Sequence, residues 1–152
     1  MTIVLQRVKK ASVVVRDDIV GRIGRGLCLL VGIERGDTER DVQFLAKKTV
    51  ELRVFPDEDG KMNLSVKDIS GGILAISQFT LAGSVKKGRR PSFDRAEEPE
   101  RAETLFNAFV DLLRESVEHV ETGIFAAMMD VKLVNDGPVT FILDSHRPPV
   151  GT

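Results

Sequence analysis

Tryptophan and tyrosine are both missing from the 152 residues, and Cys28 is the only cysteine. A lone cysteine excludes an intrachain disulfide and a thiolate metal cluster, and it suits a reducing compartment. Histidine is almost as scarce, with only His119 and His146. The chain therefore shows no His or Cys cluster at metal-ligand spacing, and no metal or other cofactor is expected. H-E-x-x-H, G-x-S-x-G, Walker and dinucleotide fingerprints are all missing. A Ser-His-Asp hydrolase would have to recruit one of two unpromising histidines. Periodicity puts His119 in the last turn of a long helix, where a cation complements the helix dipole; His146 falls in a polar, solvated tail. Neither sign of charge predominates, since 22 Lys and Arg face 23 Asp and Glu. That balance excludes a broadly basic DNA-binding protein but leaves room for a local cationic patch. The apolar start, Met1 to Leu5, is broken by Gln6, Arg7, Lys9 and Lys10. It is too short for a signal peptide or a membrane span, so a cytoplasmic protein without a membrane partner is expected.

The composition, 42% apolar and 30% charged, is that of a soluble globular chain long enough to bury a core. One domain is expected over residues 1–144, followed by a flexible tail over 145–152. Strands are predicted at Ile3–Val8, Ser12–Val15 and Ile19–Val20, with a buried one at Gly26–Ile33. Thr38-x-x-Asp41 resembles a capping box opening a helix whose inner side carries Val42, Leu45, Ala46 and Thr49. A short strand follows at Arg53–Phe55, and a longer one at Gly72–Leu81. A second helix is predicted from about Pro99 to about Val120, with Leu105, Phe106, Phe109, Leu112, Leu113 and Val117 facing inward. The last two strands flank Asp136-Gly137-Pro138. Many strands with two helices to cover a face imply a layered α/β domain.

Three local features offer chemistry. Ser77-Gln78-Phe79-Thr80 sets polar residues at the end of an apolar strand, where burial would demand partners; an ordinary edge strand explains it equally well. Lys86, Lys87, Arg89 and Arg90 crowd into one loop beside Gly88, as a phosphate-binding segment would, although short charge runs are more often solvated loops. Gly137-Pro138 between two strands reads most simply as a hairpin turn.

Taken together and in order, these features resemble the D-aminoacyl-tRNA deacylases. "SQFTL" (Ser77–Leu81) is similar to that family's first signature and "NDGPVT" (Asn135–Thr140) to its second. "GRRPSF" (Gly88–Phe93), "QRV" (Gln6–Val8) and "TGIFAAMM" (Thr122–Met129) match further family blocks. Ile124 and Met128 depart from the polar residues that relatives often carry there. The likeness runs from the N-terminus to about Leu143.

The resemblance implies a three-layer α/β/β, barrel-like domain with mixed sheets and two main helices, assembled as a homodimer. It implies a metal-free ester hydrolase that takes D-aminoacyl-tRNA to free tRNA and D-amino acid, a chiral proofreading step in translation quality control. Ser77, Gln78, Phe79 and Thr80 would form the catalytic segment. Gly137 and Pro138, joined by a cis bond, would reach into the partner subunit's pocket and exclude L side chains. Arg7, Asn135 and Thr140 would support that motif. Phe125 and Met129 would line the terminal adenosine pocket, and Lys86, Lys87, Arg89 and Arg90 would contact tRNA phosphates. Glycine has no side chain to exclude, so a side activity on glycyl-tRNA follows. Thr80 competes as nucleophile with a route assisted by the tRNA 2′-hydroxyl. A non-catalytic tRNA-binding module of the same fold is the rival reading.

Overall fold

In this computed structural model residues 1–147 are described, so most of the tail expected to be flexible, 148–152, lies outside the described residues. In chain order the elements are β1 (Thr2–Val15), β2 (Asp18–Ile23), β3 (Gly26–Gly32), α1 (Glu39–Glu51), β4 (Phe55–Pro56), β5 (Met62–Leu64) and β6 (Gly72–Ser77). A single 3-10 turn (Phe79–Ala82), α2 (Pro99–Ser116), β7 (Val120–Thr122) and β8 (Asp130–Asp144) complete the fold.

β1 organises the sheet. Its first half pairs antiparallel with β3, its second half with β2, and almost its whole length with β8. β6 then pairs parallel with β3, and β7 parallel with β6, which makes the sheet mixed. The two helices accompany a nearly closed sheet, in line with the expected α/β class. Alternation along the strands divides the core in two. Leu27, Leu29, Ile73 and Ala75 face the helices and pack with Leu45, Phe106 and Phe109. Cys28, Leu74 and Ile76 point the other way and meet Val8, Val13 and Ile23. β1 supplies Ile3 and Leu5 to the first cluster and Val8, Ala11 and Val13 to the second, so it passes from one layer into the next.

Local chemistry explains both helix starts. The Asp41 carboxylate accepts the Thr38 backbone N–H at 2.8 Å and the Thr38 hydroxyl at 3.0 Å, tying the first turn of α1. Pro99 opens α2, where its missing N–H costs nothing. Burial pushes the Asp41 carboxyl up, but the Thr38 and Ser145 hydrogen bonds and the His146 charge outweigh it and hold the group below its ordinary value. A depressed folded value means stability present above the unfolded value and lost as pH falls through the folded one. Asp41→Ala should thus cost about 1 kcal/mol at neutral pH. The gap to wild type in thermal denaturation should close on acidification; a gap independent of pH would refute this role.

Several elements end elsewhere than the sequence suggests. α2 stops at Ser116, because β-branched Val117 (φ −126°, ψ 125°) turns extended and leads into β7. His119 therefore sits outside the helix, 3.2 Å from Glu121 Oε1, and has no part in its dipole. Ile3–Val8 and Ser12–Val15 are one strand, with exposed Lys9 and Lys10 carried through its middle. The strand expected at Arg53–Phe55 is Phe55–Pro56, and that expected at Gly72–Leu81 ends at Ser77.

Candidate active site

β6 delivers the first motif. Ser77 pairs with Val31 of β3, and the Gln78 N–H donates to the Val31 carbonyl at 2.7 Å, the last ladder bond of the strand. The chain then coils once through Phe79–Ala82. Gly32 makes room for that coil, since a Cβ there would lie 2.8 Å from Leu81 Cβ. Two consequences matter for chemistry. Among the described residues the Phe79 and Thr80 N–H groups meet no main-chain acceptor, so the turn opens with free donors. The Gln78 N–H, by contrast, is already engaged. Gln78 Nε2 donates to Thr80 Oγ1, and an amide donor cannot serve as a base. Phe79 is 59% exposed, with its ring edge-on to Phe93 at 5.2 Å between centroids.

The second motif is not a hairpin. β8 runs in one direction past it, with Thr140 opposite Gln6 and Asn135 opposite Val8. Residues Asp136 to Val139 thus stand against the single residue Arg7 and bulge out of the ladder. The reason is the side-chain hydrogen bonding at the neck. Asn135 Oδ1 accepts the Val139 N–H at 2.7 Å while its amide reaches the Val139 carbonyl and the Thr140 hydroxyl. Arg7 donates from Nε to the Asp136 carbonyl at 2.9 Å and from Nη1 to the Val54 carbonyl at 2.6 Å. The Gly137-Pro138 bond is cis, and both residues are exposed. Gln6, to which the sequence assigns no role beyond its place in "QRV", joins this support, its amide donating to Thr140 Oγ1 at 3.2 Å.

The two motifs stand on different strands and at different levels of the sheet. Gly137 and Pro138 are level with Arg7, Leu27 and Ile73, whereas Ser77 is level with Val31 and Ile3. Crossing three strand spacings and four residues along the strands places them on the order of 19 Å apart over the sheet.

The remaining expected residues are dispersed. Phe125 is half-buried against Phe106, with ring centroids 6.4 Å apart. Met129 is half-buried against the second core cluster and closes on Gly123, while Met128 is 92% exposed. Lys86, Lys87, Arg89 and Arg90 are all exposed, and among the described residues none forms an ion pair.

Two further groups bear on the chemistry. Burial pushes the Cys28 thiol up to about 11, so it stays protonated and unreactive at neutral pH. A disulfide reagent should label it only on unfolding; rapid labelling of native protein would contradict this. His146 is not simply solvated, because its Nε2 lies 2.7 Å from Asp37 Oδ1. The same oxygen takes the Met1 ammonium at 2.5 Å, and Ser145 bonds to Met1 as well. Asp37, Asp41 and His146 bring donor atoms within 4.8 Å of one another. The Met1 ammonium seated on Asp37 makes an ion pair at the centre of this hydrogen-bonded group.

Residues 4–144 match the family described as D-Tyr-tRNA(Tyr) deacylase. The chain belongs to that family. A Persephonella marina D-aminoacyl-tRNA deacylase is 61% identical over 145 residues, 95% of this chain and 98% of the relative. A Geobacter metallireducens protein of the same name is 56% identical over 151 residues, 99% of this chain and 100% of the relative. Among solved structures, the c-Myc DNA Unwinding Element Binding Protein superposes with a TM-score of 0.90 at 44% identity, covering 95% of this chain and 98% of that one. A probable eukaryotic D-amino acid tRNA deacylase shares the fold, with a TM-score of 0.80 at 19% identity over 94% of this chain and 99% of that one. Within the family's span lie both motifs, Arg7 and the cationic loop. No helix among the described residues is long and apolar enough to cross a membrane.

Proposed function

We propose that this protein hydrolyses the ester of D-aminoacyl-tRNA in the cytoplasm, releasing tRNA and D-amino acid, and that it does so as a homodimer. The observation that carries the dimer is the separation of the motifs. Exposed Gly137 and Pro138 stand three strands away along the sheet from exposed Phe79 and Thr80 of their own chain, and a second copy can supply them. Among the described residues β8 pairs only with β1 and leaves Val131, Val134, Phe141 and Ile142 between 37% and 71% exposed. An apolar strand left open to water is a pairing surface.

In the paired arrangement Gly137 and Pro138 of one subunit present main-chain oxygens to the substrate α-carbon in the other's pocket. An L side chain collides with them and a D side chain points outward, so rejection does not depend on which D residue is carried. Glycine has nothing to reject, so glycyl-tRNA is cleaved to some degree. The free Phe79 and Thr80 N–H groups stabilise the oxyanion formed when water attacks the ester. The ribose 2′-hydroxyl helps move protons, which explains a pocket without a histidine. Phe125 and Met129 border the terminal adenosine, and the Lys86–Arg90 loop takes tRNA phosphates.

In this reading Thr80 serves as a hydrogen-bond partner, and the 2′-hydroxyl-assisted route is preferred to a Thr80 nucleophile. Gln78 Nε2 supports it by donating to Thr80 Oγ1 rather than offering a base. Thr80→Ala is expected to lose less than about tenfold in single-turnover hydrolysis. Near-complete loss in a folded variant would instead revive a covalent route.

The function is tested by charging one tRNA with the D and then the L form of the same amino acid. Rapid loss of the D ester with the L ester spared is expected. Equal cleavage would remove the chiral filter. Binding without cleavage of either would favour a non-catalytic tRNA-binding module, since fold alone does not fix activity.

A further inference from the structure

The cationic loop is the outer part of a small hairpin, and its base is built with more care than a solvated loop requires. Ser84 and Ser92 exchange both main-chain hydrogen bonds, at 2.8 and 3.0 Å, and close the loop that carries Lys86, Lys87, Arg89 and Arg90. On one side the hairpin continues directly from the Phe79–Ala82 turn. On the other, the chain is laid across the end of β3. Arg35 N–H donates to the Arg95 carbonyl at 2.9 Å, Glu97 N–H to the Ile33 carbonyl at 3.2 Å, and Glu34 bridges to Ala96. Glu34 is 8% exposed, one of few buried charged residues. Its Oε1 accepts the Thr2 hydroxyl at 3.1 Å and its Oε2 accepts Arg95 Nη2. A carboxylate withdrawn from water this far is costly unless its partners are held, so it fixes them in return.

We propose that the Glu34–Arg95 pair clamps the returning arm of the hairpin and thereby sets where the four cations meet tRNA, Glu34 acting as a positioning residue. The inference rests on the reading of the loop as a phosphate-binding segment. Glu34 touches neither the ester nor the tRNA. It acts through Arg95 and the Arg95–Glu98 backbone on a rigid arrangement of charges, and ordered charges bind a phosphate backbone better than mobile ones.

The test compares Glu34→Gln with wild type on D-aminoacyl-tRNA and on D-aminoacyl-adenosine, which is too short to reach the loop. Glutamine keeps an acceptor for Thr2 but loses the anion that holds Arg95. It also makes the protein less negative, so unspecific electrostatics alone would lower KM for tRNA. A clamp requires the opposite. KM for D-aminoacyl-tRNA should rise roughly three- to tenfold with kcat unchanged, and turnover of D-aminoacyl-adenosine should stay at the wild-type value. An unchanged or lower KM for the tRNA substrate would overturn the clamp, as would an equal loss on both substrates, which marks general damage. Lys86→Ala combined with Arg90→Ala separates the two levels. If this variant raises KM for tRNA while Glu34→Gln does not, the loop binds tRNA and only the clamp is wrong. If it leaves KM unchanged, the phosphate-binding reading fails and the clamp falls with it.

Discussion

Phe79→Pro is expected to slow hydrolysis of D-aminoacyl-tRNA by about 10²–10³-fold, the usual cost of one oxyanion donor. The substitution removes a single N–H at the first position of the 3-10 turn, where that N–H has no main-chain acceptor among the described residues. Proline is well tolerated at the opening of a helical turn. Gln78 before it has φ −138° and ψ 81°, already outside the helical region that a following proline disfavours. The fold should therefore survive, which circular dichroism and a melting curve will check. Phe79→Ala is the necessary control, because it removes the exposed ring and keeps the N–H. If alanine is as inactive as proline, the lost ring accounts for the effect and the oxyanion role of the N–H loses its support. Two variants of near wild-type activity would remove this segment from the chemistry.

Gly137→Ala should cost on the order of 10²-fold in kcat/KM, comparable to displacing a reacting group by about 1 Å. Gly137 has φ +146°, a backbone conformation that L side chains rarely adopt. A Cβ would also lie 2.7 Å from Val139 Cγ2 and 2.9 Å from Val139 N, and Arg7 Nη2 would be 3.3 Å away. Each of these belongs to the frame that holds the bulge, so relief of the clash must move the loop. The strain is worth about 1–3 kcal/mol and falls on an exposed excursion of β8, leaving the core pairing of β1 with β3 intact. Loss of D-substrate turnover with a little-changed melting temperature is the expected result. A variant as active as wild type would mean that the position of Gly137 is irrelevant to the reaction.

What could be read from sequence was whatever depends on near neighbours. The start of α1 is legible because Thr38 and Asp41 are three residues apart and hydrogen-bond each other. β3 is legible because Gly26–Gly32 is apolar throughout and buried on both faces. The end of α2 is not, because helical periodicity continues through Val117 while β7 is decided by pairing with distant β6. Nor is the course of β8, since a Gly-Pro flanked by strands looks the same whether the chain reverses or bulges. The choice is made by Arg7 and Asn135, acting on Asp136 and Val139 from outside the dipeptide. Membership of the family was readable through the resemblance of the two motifs. Their separation on the sheet was not, because it follows from a strand order that no local pattern encodes.

The reaction as proposed needs Phe79 and Gly137 from different subunits, and mixing two inactive variants tests that requirement directly. Phe79→Pro dimers and Gly137→Ala dimers are unfolded together, refolded to allow subunit exchange, and assayed on D-aminoacyl-tRNA, with mixed dimers verified by native mass spectrometry. Each mixed dimer of two-fold symmetry would join an intact Phe79 segment to an intact Gly137 from its partner, so activity should return to about a quarter of the wild-type level. No recovery, with mixed dimers demonstrably formed, would mean that both motifs serve one site within a single chain.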